Sequence, residues 1–308
     1  MERRHLEYLV AIERHGGFAR AASALLVTQS ALSQAISQLE RELGAELFHR
    51  NVRPVRLTAA GEAILDPARQ TLRGFTTIRE AASSVAGLSS GQLEVATLPA
   101  LAQWPATPLV ATFRRRYSGV RVHILGPPRS RIAELAEMVR RGDCEIGLTE
   151  EHAHTQNLVE ISLGSHDYVA VLPPDTVAPD RSLSFEEVLS LGIIIGPWWE
   201  TSRPYIAIQE RHPQLVEESV VIRIDHREAY LPLILAGAGA AFLPRFVGDM
   251  AAAAGAVIAE LSEPITRALV LVHRDESLTP AARAFCDVAA ADTSSKPHVP
   301  SGQKACPV

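Results

Sequence analysis

Positions 29–38 carry Gln29, Ser30, Ser33, Gln34, Ser37 and Gln38, amides and hydroxyls with no charge among them. Interleaved with these, Leu32, Ile36, Leu39 and Leu43 recur at i, i+4, i+7 and i+11. That spacing predicts a helix with one buried stripe and one neutral polar face. A face that only meets water usually carries Lys or Glu. Amides and hydroxyls can instead donate to and accept from base edges in the major groove. Downstream, positions 49–58 hold Arg50, Arg53 and Arg56 and no acid, a density of cations that suits phosphate or minor-groove contact. The chemistry is recognition of double-stranded DNA. Bond-making groups are scattered by comparison. His152 and His154 form an H-x-H pair beside Glu150 and Glu151 but lack further residues at ligand spacing. Cys144, Cys286 and Cys306 make neither a disulfide framework nor a zinc module. Cys144 and Cys286 read as inert small hydrophobes. There is no nucleophile elbow, phosphate-binding loop or dinucleotide fingerprint. No catalytic residue, metal or cofactor is assigned.

Several elements must hold the polar face in place. A short helix over 18–25 breaks at Val27-Thr28, and the second helix starts at once and runs to about Leu43. Beyond Gly44, strands over 45–49 and 55–58 form a small hairpin whose tip carries Arg50, Asn51, Arg53 and Pro54. Thr58 then caps a long helix. Ile64, Ala68, Leu72, Phe75, Ile78, Ala82 and Val85 step along it by 4, 4, 3, 3, 4 and 3, a heptad-like seam suited to pairing two helices. Ile64, Leu72, Phe75 and Ile78 are the expected dimer contacts. Pro67 lies inside this helix and is expected to kink it. The helix is expected to end at the Gly/Ser-rich segment 87–91.

The segment resembles the winged helix-turn-helix of LysR-type transcriptional regulators. Their pattern is matched by Phe18, Ala21, Ala22 and Leu25; by Thr28, Gln29, Ser30, Ala31, Leu32 and Ser33; by Ile36, Leu39, Glu40, Leu43, Gly44, Leu47, Phe48 and Arg50; and by Leu57, Thr58, Ala60 and Gly61. The family often has Ser or Thr where Gly17 and Ala19 stand, and Arg at the place of Gln34. The resemblance implies that Gln29, Ser30, Ser33 and Gln34 probe base edges while Arg50 and Arg53 hold the wing to DNA.

The 308 residues suffice for two or three compact units. An apolar content of 47% and a mean hydropathy of +0.07 fit a soluble, cytoplasmic globular protein with no membrane span. Net charge is −5, and it is unevenly divided. Residues 1–90 hold 11 Lys+Arg and 9 Asp+Glu, and the remainder 19 and 26, so a head of +2 precedes a body of −7.

From Gln92 onward, short β-rich runs alternate with amphipathic helical stretches, which argues for parallel α/β sheets. The runs cover 93–97, 120–125, 145–149, 158–163, 168–172, 193–196, 220–224, 240–243 and 268–273. The resemblance implies an effector domain of two periplasmic-binding-protein-like lobes. The expected division is a DNA-binding domain at 1–58, a linker helix at 59–88 and an effector-binding domain at 89–291. Within the last, lobe one is 92–164 plus 266–291 and lobe two is 165–265. The tail 292–308 is expected to be disordered. A two-lobed body binds small molecules at strand ends in the cleft. The expected effector contacts are Thr97, Leu98, Pro99, Ala100, Thr149, Gly196, Trp198, Ser202 and His226. Arg129 and Arg203 are candidate charge partners for an anion. Free N–H groups where a helix follows Leu98 would suit such an anion. The reading is a DNA-binding transcriptional regulator controlled by a small-molecule effector, assembled as a homodimer or homotetramer. The alternative is a ligand-binding or enzymatic α/β protein whose N-terminal helical module serves only for assembly.

Overall fold

A computed structural model of the chain describes residues 1–49, 54–84, 91–128, 130–177, 180–197, 199–275 and 278–294. Helix α1 (Arg3–His15) ends where Gly16 turns left-handed at φ +65°. Helix α2 (Phe18–Ala24) follows from Gly17, which offers no side-chain cap. Helix α3 (Gln29–Leu43) begins at Thr28, whose hydroxyl accepts from the Ala31 N–H at 3.2 Å. Leu6, Leu9 and Ile12 of α1 meet Ala21 and Ala22 of α2 and Leu32, Ile36 and Leu39 of α3 in one buried core. Each fully buried Leu or Ile contributes roughly 1.5–3 kcal/mol. Leu43 departs from the expected stripe and is exposed, because it lies in the last turn, beyond the reach of α1 and α2.

Strands β1 (Phe48–His49) and β2 (Arg56–Leu57) pair antiparallel as the stem of the wing. Phe48 is buried edge-on to Phe18 at 5.4 Å, which anchors the wing to α2. Thr58 donates its hydroxyl to the Glu46 carbonyl at 2.6 Å and accepts from the Gly61 N–H at 3.1 Å. Gly61 lies so close to the wing that a Cβ there would collide with the Leu47 carbonyl oxygen. The Thr58/Gly61 pair is therefore a steric and hydrogen-bonding joint between the wing and the next helix.

That helix, α4 (Ala59–Ser84), is continuous through Pro67. Its first half packs against the head of its own chain. Leu65 and Ala68 are buried in the core of the head, and Ile64 and Leu72 pack partly against the same core. Phe75 and Ile78 are exposed. The expected seam thus splits, because α1 lies alongside α4 and covers its first turns. Val85 and the boundary at 87–90 lie outside the described residues.

Contacts divide the described residues into two compact units, 1–161 plus 271–294 and 162–270. In the first unit, β3 (Gly91–Thr97) runs parallel to β4 (Val120–Leu125) and β5 (Ile146–Glu150). Helices α5 (Pro99–Leu101), α6 (Thr107–Arg116) and α7 (Ile132–Arg141) lie between these strands in sequence.

The expected strands 158–163 and 168–172 are one strand, β6 (Val159–Leu172). It carries Gly164 at φ +84° without a break, because a glycine tolerates that conformation inside extended chain. In the second unit come α8 (Phe185–Ser190), β7 (Ile193–Ile195), α9 (Arg203–Gln209), α10 (Pro213–Glu218), β8 (Val220–Arg223), α11 (Tyr230–Leu235), β9 (Ala241–Pro244), α12 (Arg245–Ala253) and β10 (Val257–Ala259). Strands β7 and β8 are parallel, whereas β6 pairs antiparallel with both β9 and β10. The expectation of parallel sheets therefore holds for β3–β5 and for β7–β8 but not around β6. Tyr168, Ala170 and Leu172 face one apolar cluster and Val169 and Val171 another. This alternation explains why the end of β6, residues 168–172, is buried on both faces. The short strand β10 and helices α10 and α12 were not anticipated.

The chain returns through β11 (Thr266–His273) to α13 (Pro280–Ser294). Thr279 caps α13, its N–H and hydroxyl both donating to the Glu145 carboxylate at 2.9 and 2.7 Å. Helix α13 extends through Ser294, three residues into the expected disordered tail. The cap at one end and the buried Phe285, Val288 and Ala289 sustain it. Residues 295–308 lie outside the described residues.

Candidate functional site

The neutral polar face of α3 is open. Gln29, Ser30 and Gln34 are exposed, and Ser33, Ser37 and Gln38 are half-buried. The Ser30 hydroxyl lies 3.1 Å from that of Thr28, at the helix start. Ser33, Gln34, Ser37 and Gln38 line a concavity of about 600 Å³ together with Arg4 and Tyr8 from α1 and with Arg41. Gln29 and Ser30 stand outside it, at the N-terminal end of α3. Arg4 pairs with Glu2 at 2.8 Å in an exposed contact. Arg41 donates to the Ser37 carbonyl at 3.3 Å. Neither interaction is costly to exchange for a phosphate, since exposed pairs contribute little.

Arg4, Tyr8 and Arg41 were missed in the sequence. Arg41 was accessible to the argument, because it stands i+4 from Ser37 and i+7 from Gln34 on the same face. Arg4 and Tyr8 belong to another helix, and only the packing of α1 on α3 brings them there. Arg50 and Arg53 lie outside the described residues. Arg56, in the stem, is exposed opposite His49.

The expected effector residues separate by unit. In the first, Thr97 and Thr149 stand at the carboxyl ends of the neighbouring parallel strands β3 and β5, where Thr97 is registered with Leu148. Both are buried. The Thr97 hydroxyl donates to the Leu98 carbonyl at 3.2 Å. The Thr149 hydroxyl has no hydrogen-bond partner among the described residues.

Leu98 is buried, Pro99 exposed and Ala100 half-buried. A helix does start directly after Leu98, as expected, but it offers few free N–H groups. Helix α5 spans only three residues, and its first, Pro99, has no N–H to offer.

In the second unit, Gly196 ends β7 against the ring of Tyr230, which a Cβ would strike. Burial pushes the Tyr230 phenol up to about 12. The Ser202 hydroxyl caps α9, accepting from the Tyr205 N–H at 3.2 Å, so its oxygen has a structural task. Arg203 opens α9. His226 is exposed just after β8. Trp199 is buried against Phe242 and Tyr205, while Trp198 and Arg129 lie outside the described residues.

The remaining reactive groups are quiet. Burial pushes the Cys144 and Cys286 thiols up to about 12, so both stay protonated at neutral pH. The His152 and His154 rings stack at 4.8 Å. Among the described residues no group of His, Cys, Asp and Glu could hold a metal, and no helix is long and apolar enough to cross a membrane.

Comparison with known proteins gives the same division of labour. Residues 3–62 match the model of the bacterial regulatory helix-turn-helix protein, lysR family, and residues 86–294 match the LysR substrate binding domain. The chain is 28% identical to the HTH-type transcriptional regulator AlsR of Bacillus subtilis, over 79% of this chain and 80% of that one. It is 32% identical to the regulator TfdT of Cupriavidus pinatubonensis, over 64% and 86%. Its fold is similar to that of full-length CbnR in complex with its target DNA, at a TM-score of 0.62 and 20% identity over 95% of this chain and 100% of that one.

Proposed function

This chain belongs to the LysR family of bacterial transcriptional regulators, and from that premise we propose how its residues divide the work. The head, residues 1–58, reads an operator with α3: Gln29, Ser30, Ser33 and Gln34 address base edges. Arg4 and Arg41 flank that face and, with Arg50 and Arg53 of the wing, neutralise phosphates. The observation that carries this is that the neutral polar residues Ser33, Gln34, Ser37 and Gln38 share one concavity with two arginines from different helices. A fully solvated helix face has no reason to exclude charge from these four positions while gathering arginines beside them. Mobility shifts and footprinting on the DNA upstream of its own gene test this. A protected site with two related half-sites, bound far more tightly than random DNA, is the expected result. Equal affinity for both sequences refutes it.

The body, residues 89–291, takes a small polar effector, and the protein acts in the cytoplasm without itself performing a reaction. The Thr149 hydroxyl, buried and unsatisfied at a strand end beside Thr97, supports a ligand with a hydrogen-bonding group directed there. It does not require an anion. Thermal-shift screening with small polar metabolites tests this: a hit on the wild-type chain should vanish in Thr149→Val and in Ala100→Trp while operator binding persists. Phe75 and Ile78, exposed on α4 beyond the turns that cover the head, pair two chains across a two-fold axis, and further association of dimers gives the tetramer.

A further inference from the structure

Two arginines one helical turn apart on α4 fasten parts of the molecule that belong to different tasks. The Arg69 guanidinium is buried, with 8% of its side chain exposed. Its Nη2 meets Glu13 of α1 at 2.9 Å and Asp143 at 3.2 Å, and Nη1 meets Asp66 of its own helix at 3.5 Å. Arg73 donates to the carbonyls of Gly142 and Arg141 at 2.9 and 3.3 Å, the last turn of α7. Gly142 closes α7 at φ +71°, and a Cβ there would strike the Arg73 guanidinium. Glu13 belongs to the reading head, and Asp143 lies in the turn that leads into β5 of the effector-binding domain. All of these residues lie within one compact unit.

Charge counting shows why this joint can open. Three carboxylates compete for one guanidinium, so Asp143 can leave without stranding Arg69, which keeps Glu13 and Asp66. A buried cation left with no partner would be costly; one that keeps two is not. Asp143 is also mechanically connected. Strand β5 begins three residues later, is buried throughout, pairs with β3 and ends in Thr149-Glu150. At its middle, Gly147 has Leu135, Val139 and Val272 packed so closely that no Cβ would fit. A displacement at the Thr149 end therefore moves the strand as a body and is felt at Asp143.

We propose that Arg69 is the joint through which the effector-binding domain acts on the reading head, with the Arg69–Asp143 contact made in one regulatory state and released in the other. The proposal deepens the regulator reading and rests on it. Arg69 is a positioning residue: it holds α1, and through α1 the seat of α3, in register with the α7–β5 turn.

The test uses the full-length protein and needs no effector. Amide hydrogen exchange is measured for the wild type, Asp143→Asn, Glu13→Gln and Arg69→Lys, and each is titrated with the upstream DNA. Linkage requires reciprocity. Asp143→Asn should speed exchange in α1, and Glu13→Gln should speed it across residues 139–145, each by about fivefold or more. Asp143→Asn should also change operator affinity by about fivefold or more, in either direction, with an unchanged melting temperature. Arg69→Lys keeps the charge but loses the fork that spans two carboxylates, so it should fall between these variants and the wild type. Loosening confined to the element that carries the substitution overturns the proposal, as does an unchanged operator affinity in Asp143→Asn. A wild-type chain that fails to prefer its upstream DNA instead overturns the regulator reading, while the exchange results still decide whether the joint exists.

Discussion

The backbone N–H of Leu47 donates to Glu40 Oε1 at 2.9 Å, so the carboxylate of a recognition-helix residue holds the strand that carries the wing. Glu40 is half-buried on α3, and this contact ties the second half of α3 to the residue that leads into β1. Hydrogen bonds to a charged group are worth about 1.5–3 kcal/mol. Glu40→Ala should lower the stability of the head by about that much, measured by urea unfolding. Glu40→Gln, which keeps an acceptor, should recover most of it.

Leu26 sits in the turn between α2 and α3 at φ +55° with 93% of its surface exposed. A left-handed residue with a branched side chain costs roughly 1–2 kcal/mol relative to an ordinary conformation, and an exposed Leu recovers little by burial. Leu26→Gly or Leu26→Asn should therefore raise the melting temperature of the head by a few degrees. A fall in that temperature would show that Leu26 covers an apolar surface in the assembled protein.

The wing arginines and the rim arginines should behave alike toward salt. Replacing Arg50 and Arg53 by Ala should make the slope of log K against log salt shallower by roughly two units, at about 0.9 per phosphate. Replacing Arg4 and Arg41 should do the same. By contrast, Gln34→Ala should leave the slope alone and cost about 1–3 kcal/mol on the operator only. A slope unchanged by both arginine pairs would place these residues away from DNA.

Two substitutions on α4 should fail in different ways. Ile78→Glu puts a charge on the exposed part of the seam, so sedimentation should show dissociation into monomers whose heads still melt normally. Leu72→Glu puts it against the head's own core and should lower that melting transition instead. Identical behaviour of the two variants would contradict the split seam.

Acid should weaken the second unit through His166. Burial, then the Arg267 guanidinium, push this ring down to about 3, and Arg267 Nε donates to its Nε2 at 2.9 Å. The folded state therefore holds the neutral ring. The stability it contributes is complete above the ordinary histidine range and is lost as pH falls from about 6.5 toward 3, at up to roughly 1.4 kcal/mol per pH unit. Between pH 6.5 and 5, His166→Gln should lose roughly 2 kcal/mol less stability than the wild type.

What could be read in the sequence was what local periodicity dictates. The helix-turn-helix, the neutral face of α3, the stem of the wing and most strands of the body follow from the apolar spacing of single elements and from turn residues such as Thr28 and Gly44. A periodic stripe says that a face will be covered, but not by what. For that reason Ile64 and Leu72 read as contacts between chains, whereas the tertiary structure packs them partly against the chain's own head. The same limit hid Arg4 and Tyr8, which join the reading face only because α1 crosses α3. It also hid the three carboxylates around Arg69, drawn from positions 13, 66 and 143. The gap expected between strands 158–163 and 168–172 closed for a related reason: a glycine permits a turn, and only the pairing partners of β6 decided that the strand continues through Gly164. Sequence determined the elements and their faces, since these depend on neighbours a few residues apart. The tertiary structure alone decided which faces meet, since that depends on contacts between residues far apart in the chain.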